Sequence, residues 1–208
     1  LSKTQKGHTM AVCSVAIHPK KPIIGTGSDD SFGKYGRKSI LVDYERIRHK
    51  DWVSSLKFHP KGLHIVTASG DSTVKIWDFV NTSCTYTFKD HKQPGGVLFE
   101  LDGDYIATGS LDHSSRLFDI NVGKARTVLR GHADSVNCVH FKPYSNILGT
   151  CSADKTVSTW DVRTNLCIQT FYGHNNSVNG CKFSPRSDKF ASCDSNGITK
   201  TWDLRMNK

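Results

Sequence analysis

An all-β fold of small repeated sheets is what this sequence predicts. Three observations carry it: a step of 41 or 42 residues, four strand-like runs within each step, and no helix-length run with a 3.6-residue period. The step is kept by four residue classes at once. His8, His49, His91, His132 and His174 follow it, and so do the hydroxyls of Thr26, Thr67, Thr108, Thr150 and Ser192. Trp77-Asp78, Phe118-Asp119, Trp160-Asp161 and Trp202-Asp203 follow it, as do Asp30, Asp71, Asp112, Asp154 and Asn196. Chance does not align four independent classes.

Each element within a step has its own signal. Val53–Phe58 is a short β-rich run closed by Pro60-Lys61-Gly62, a turn signal. His64–Ser69 is a second strand, Gly70-Asp71 a tight turn, Val74–Trp77 a third strand and Cys84–Phe88 a fourth. A later step repeats the pattern with Val136–Phe141, Ile147–Ser152, Val157–Trp160 and Cys167–Phe171. The first step departs most. Gly36 stands where others have an aromatic ring, and the glycines of 31–38 make poor strand material. That stretch reads as a remodelled edge or as non-native local sequence, and the residues leave both open.

Composition narrows the function classes. The chain has 208 residues, and Lys plus Arg 28 against Asp plus Glu 19 leaves a formal charge of +9. A basic balance suits an acidic partner: nucleic acid, anionic lipid or an acidic protein surface. No long Lys/Arg block occurs, so a solvated Lys-rich surface is the stronger reading. Seven cysteines are scattered, an odd number without a Cys-x-x-Cys pair. They read as reduced, small apolar side chains of a protein in a reducing, intracellular compartment. No run approaches the ~20 apolar residues of a membrane span. Leu1–Lys6 is polar, which argues against a signal peptide, and the missing initiator Met suggests a fragment of a longer chain.

With these residues in view, a resemblance can be stated. Gly131-His132 through Trp160-Asp161, with Gly7-His8 and Gly173-His174, resembles the GH…WD signature of the WD40 family. The resemblance implies a β-propeller. Residues 1–208 would then be a partial WD40 domain of about five blades, with repeats near 7–48, 49–90, 91–130, 131–172 and 173–208. It favours a seven-bladed ring over closure of five blades, with Leu1–Lys6 as the outer strand of a preceding blade. Finer segments, Leu1–His8, Asp90–Pro94, Ser152–Val157, Thr170–His174 and Ala191–Ser195, are similar to WD-repeat proteins of the axonemal central apparatus of motile cilia, sperm-associated antigens in animals.

The resemblance also assigns the repeated polar residues to structural tetrads. In each, Trp N–H donates to a Ser/Thr hydroxyl, the hydroxyl to His, and His to the turn Asp. Trp77, Thr67, His49 and Asp71 would form one. Trp160, Thr150, His132 and Asp154 would form another. Trp202, Ser192 and His174 would form a third, its last link weakened by Asn196. Phe118 has no N–H, so Thr108 would lose a partner and its blade soften. A Ser/His/Asp catalytic reading is set aside, because a catalytic site occurs once and this set recurs inside strands. His18, His59, His64, His113 and His140 read as surface or cross-strand residues. No P-loop, dinucleotide fingerprint or metal-spaced cluster is present, so no cofactor, metal or enzyme activity is expected.

Function then rests on the surface. By resemblance, the contact positions match Trp52 and Leu111, and a large aromatic at Trp52 is either an interface anchor or a rim residue packed on a loop. The first reading is a non-enzymatic protein-interaction scaffold of the axonemal central apparatus. It would sit in a large complex with central-pair proteins and acidic tubulin surfaces, localised to the cytoplasm, cytoskeleton and cilium. The alternative is a peptide-reader or substrate-receptor subunit of another complex such as a ubiquitin ligase. That alternative wants basic residues at the channel mouth, and the residues before each turn Asp are Asp29, Gly70, Leu111, Ala153 and Ser195. RNA binding wants exposed aromatics interleaved with Arg, and no such stripe is visible.

Overall fold

The computed structural model describes residues 6–37, 47–81, 83–89, 91, 94–99, 103–186 and 188–205. Among them every regular element is a strand, and the strands form five sheets. Sheet one holds β1 (Val12–Ile17), β2 (Ile23–Ser28), β3 (Phe32–Arg37) and β4 (Ile47–Arg48). Sheet two holds β5 (Val53–Phe58), β6 (His64–Ser69), β7 (Val74–Asp78) and β8 (Cys84–Phe88). Sheet three holds β9 (Pro94–Phe99), β10 (Tyr105–Ser110), β11 (Ser114–Asp119) and β12 (Lys124–Arg130). Sheet four holds β13 (Val136–Phe141), β14 (Ile147–Ser152), β15 (Val157–Asp161) and β16 (Leu166–Phe171). Sheet five holds β17 (Val178–Phe183), β18 (Lys189–Asp194) and β19 (Thr199–Asp203). Each sheet is an up-and-down meander in chain order. The chain forms two compact units, Leu1–Val97 and Leu98–Lys208, and passes from one to the other within β9. The expected strand at Leu1–Lys6 falls, but for Lys6, outside the described residues.

The period seen in the sequence is a period of backbone geometry. Ser31, Ser72, His113 and Lys155 all have φ between 65° and 71°, and Gly197 has φ 80°. Each sits just after the turn Asp or Asn, where the chain reverses between the second and third strands, and each takes the left-handed conformation that a tight reversal needs. A bulge recurs at the start of the first strand, between Val12/Ser14, Val53/Ser55, Val136/Cys138 and Val178/Gly180. Another recurs beside the large ring of the third strand, at Ile76/Trp77, Leu117/Phe118 and Thr159/Trp160. Bulges add local twist and re-aim a side chain.

The stretch expected to be poor strand material is a strand. β3 pairs with β2 in unbroken register from Ile23↔Arg37 to Gly27↔Gly33. A backbone ladder needs no side chains, and here the neighbours take the space. A Cβ on Gly33 would lie 2.6 Å from Cγ2 of Ile47 and 3.2 Å from Leu56. Residue 38 of that stretch lies outside the described residues.

Within each unit, adjacent sheets pack through their first strands, β1 on β5 and β13 on β17. The core of the first unit includes Tyr35, Ile47, Leu56, Phe58, Ile65, Trp77 and Phe79, with Ala16 and Ile23 against it. The second unit has one cluster around Leu117, Val139, Leu148 and Trp160, and another around Val157, Phe171, Val178, Phe183 and Phe190. Full burial of one Leu or Phe contributes about 1.5–3 kcal/mol, so these clusters dominate the stability of each unit. Polar bridges add register. Leu56 N–H donates to Ser14 Oγ at 2.8 Å, and Asn137 Nδ2 donates to Val178 O at 2.9 Å.

Candidate functional site

In sheets one, two, four and five a histidine stands between a hydroxyl and a carboxylate. In sheet two, Trp77 Nε1 donates to Thr67 Oγ1 at 2.8 Å, Thr67 lies 2.7 Å from His49 Nε2, and His49 Nδ1 lies 3.0 Å from Asp71. In sheet four the same distances are 2.8, 2.7 and 2.9 Å for Trp160, Thr150, His132 and Asp154. Donor counting sets the tautomer. The ionised carboxylate only accepts, so Nδ1–H donates to it, which leaves Nε2 of the neutral ring to accept the hydroxyl proton. The Gly of the Gly-His pair has a steric reason: a Cβ on Gly131 would stand 2.9 Å from Cη2 of Trp160.

Sheet five corrects the expected weak link. Asn196 is not the partner of His174. Asp194, two residues earlier, lies 2.8 Å from His174 Nδ1, with both side chains fully buried. Trp202 and His174 meet Ser192 at 2.8 and 2.7 Å. Asp194 also accepts the backbone N–H groups of Asn196 and Ile198, so it both shapes the turn and receives the imidazole. Sheet one keeps His8 at 2.8 Å from both Thr26 and Asp30, while register places Gly36 opposite Ile24, where sheet two has Trp77 opposite Ile65. In sheet three Phe118 fills the ring position with complete burial, and Thr108 Oγ1 lies 3.5 Å from Arg116 O.

Electrostatics follow from this packing. Burial is the largest influence on His49 and holds its ring below the usual histidine range, against the pull of Asp71. Burial alone would raise the Asp71 carboxyl, but hydrogen bonds from Thr73, the Lys50 N–H and His49 outweigh it and bring it to about 2. His49 is also fixed at its backbone, where its N–H donates to Ser31 O of sheet one at 3.0 Å. Two histidines read as surface residues are buried instead. His18 Nδ1 accepts the N–H groups of Lys20 and Lys21 at 3.0 Å and its ring packs on Phe58 and Phe79. His59 Nδ1 accepts the N–H of Lys61 at 2.9 Å. Both close the turn after a first strand.

The expected contact residues are open to solvent. Trp52 is 37 % exposed and Leu111 49 %. The Trp52 indole lies flat over Gly70: a Cβ there would meet Cε2 at 2.5 Å. Trp52 is therefore both a packed rim residue and an aromatic face presented outward. The sequence reading missed a basic groove in the first unit. One concavity is lined by Asp30, Phe32, Arg48, His49, Lys50 and Lys75, and an adjoining one by Lys50, Asp71, Thr73, Lys75, Thr87 and Lys89. Its two carboxylates are engaged by His8 and His49, which leaves Arg48, Lys50, Lys75 and Lys89 to set its sign. The cations come from strand ends rather than the positions before the turn Asp, so a search confined to those positions could not find them.

Sequence comparison decides the family. The family described as "WD domain, G-beta repeat" matches residues 1–32, 44–78, 82–119, 123–161 and 165–203. The chain belongs to the WD40 family. Its five sheets are WD40 blades, and chains of such repeats are protein-interaction scaffolds, generally without catalytic activity. Among curated relatives, the WD40 chain is 33 % identical to pre-mRNA-processing factor 19 of Oryza sativa over 157 residues, 72 % of this chain and 29 % of the relative. It is 30 % identical to a guanine nucleotide-binding protein subunit beta of Solanum tuberosum over 169 residues, covering 71 % of this chain and 45 % of the relative. It is 27 % identical to autophagy-related protein 16 of Arabidopsis thaliana over 150 residues, 70 % and 29 %. The WD40 chain thus spans less than half the length of each of these relatives.

Proposed function

We propose that this WD40 chain is a non-catalytic docking scaffold in the axonemal central apparatus of motile cilia, binding proteins with acidic segments. The observation that carries the scaffold reading is the use of the repeated histidines. Both ring nitrogens of His8, His49, His132 and His174 are engaged within the fold, so these Ser/Thr–His–Asp sets hold sheets rather than activate a nucleophile. The groove of Arg48, Lys50, Lys75 and Lys89 supports an acidic partner such as a tubulin surface, and the Trp52 face supports a protein one. Central-apparatus placement is supported by the resemblance of Leu1–His8, Ser152–Val157 and Thr170–His174. The apolar outer face of β1, with Val12, Val15 and Ile17 exposed, supports a further blade packed against it.

Localisation of the tagged full-length protein in a ciliated cell tests the proposal. Signal along the central pair supports it, and diffuse nuclear or cytosolic signal sinks it. The same groove favours a second reading, a peptide reader of a ubiquitin-ligase type complex. That reading requires selective retention of phosphorylated over unphosphorylated acidic peptides, whereas tubulin docking does not.

A further inference from the structure

Three thiols converge in the second unit. β13 and β14 pair Cys138 with Cys151 across the strands, and β17 of the next sheet brings Cys181 against them. The three sulfurs all lie within 4.8 Å of one another. Cys138 Sγ is 3.8 Å from Cys181 O, and Cys181 Sγ is 3.8 Å from Cys138 O, so the two strands face each other sulfur to carbonyl. Cys151 and Cys181 are buried and Cys138 is half-buried. Val157, Phe171, Val178, Phe183 and Phe190 surround them. Among the described residues no His, Asp or Glu donor joins the group.

One buried cysteine is an ordinary small apolar side chain. Three whose sulfurs touch a common centre make a soft donor set. A cation held by three sulfurs at ~2.3 Å needs them about 4 Å apart, so the observed cluster must close by under about 1 Å. Hard cations want several oxygen ligands, and the group holds no carboxylate among the described residues. Zinc wants a fourth ligand, and among the described residues no fourth His, Cys, Asp or Glu ligand atom lies with the three sulfurs. Soft thiolate sets select copper(I), which accepts sulfur alone. We propose that Cys138, Cys151 and Cys181 form a thiolate site for a soft monovalent cation of the copper(I) class, which fastens sheet four to sheet five. Cys138 is the least buried of the three residues. Binding one Cu⁺ by two thiolates and one thiol releases two protons and leaves a net charge of −1.

The test titrates the reduced full chain with copper(I) under anaerobic conditions against bicinchoninate, beside a variant with Cys13, Cys84, Cys167 and Cys193 changed to Ser. Both retain one copper per chain, show a thiolate-to-copper ultraviolet band, and gain about 5–10 °C in Tm at a hundredfold excess over Kd. Cys138→Ala, at the half-buried position, keeps its copper-free Tm within a few degrees and loses at least tenfold in affinity. Cys181→Ser loses the band as well. Three results each overturn the site: no copper retained by the full chain, copper retained by Cys138→Ala but lost by the exposed-cysteine variant, or zinc(II) held more tightly than copper(I).

Discussion

Removing one imidazole should cost more than any exposed histidine contact, and His132→Ala is the clearest case. The side chain is 3 % exposed, and its loss removes the hydrogen bonds of 2.7 Å to Thr150 and 2.9 Å to Asp154. Thr150 keeps the indole N–H of Trp160 but must redirect its proton to Ser158 O at 3.3 Å, a longer bond. Asp154 keeps the Ala133 N–H and the Thr156 hydroxyl and N–H, so its charge stays solvated by the fold. One neutral bond of about 1 kcal/mol and one charge-assisted bond of about 1.5–3 kcal/mol are lost, with a small cavity beside the indole. The sum is about 3–4 kcal/mol, or roughly 6–16 °C in Tm for a domain of this size. The control is His113, which is exposed and, among the described residues, bonds the Ala133 carbonyl at 2.8 Å. Its φ of 65° makes Asn a cleaner replacement than Ala. His113→Asn should lower Tm by under about 3 °C. Differential scanning fluorimetry of both variants decides the matter. Equal losses, or a His132→Ala loss of under about 3 °C, would refute the buried network as a source of stability.

Three further outcomes follow from the geometry. Asp194→Ala should destabilise sheet five strongly by urea melting and Asn196→Ala weakly, and the reverse order would return the role to Asn196. On acidification, stability should decline first as pH falls through about 6.5, where unfolded histidine takes up a proton that folded His49 resists. It should fall more steeply from about 4 down to about 2, because the folded carboxyls of Asp30, Asp71, Asp154 and Asp194 are held below their unfolded values. A Tm flat from pH 7 to 4 contradicts the neutral His49. Gly70→Ala should lift the Trp52 indole, since its Cβ would sit 2.5 Å from Cε2, and should shift the tryptophan fluorescence to longer wavelength with little change in Tm. An unchanged spectrum means the indole does not rest there.

The blade plan was legible because it is written in period and alternation. The strands expected at Val53–Phe58, His64–Ser69, Cys84–Phe88, Val136–Phe141 and Ile147–Ser152 have those bounds, and the others differ by one residue at an end. The distances that join Trp77, Thr67, His49 and Asp71 repeat in the later sheets because the residues repeat. What the sequence hid depends on exchange of roles between neighbours. Asp194 replaces a turn residue two positions on, and spacing alone points to Asn196. Gly33 of β3 is a glycine because Ile47 and Leu56 occupy the room a side chain would need, which is a fact about other strands. The buried His18 looks like a turn residue until Phe58 and Phe79 close over it. The basic groove and the three thiols assemble from separate strands, so no linear motif marks either.

His49 has a consequence beyond its own sheet. Its side chain is anchored in sheet two, while its main chain is held by Ser31 at the reversal of sheet one. One residue is thus a shared rivet, and two sheets that look like separate modules cannot breathe independently at that corner. Deuterium should enter the amides around Ser31 and Asp71 at matched rates, and loosening either one should speed exchange in both.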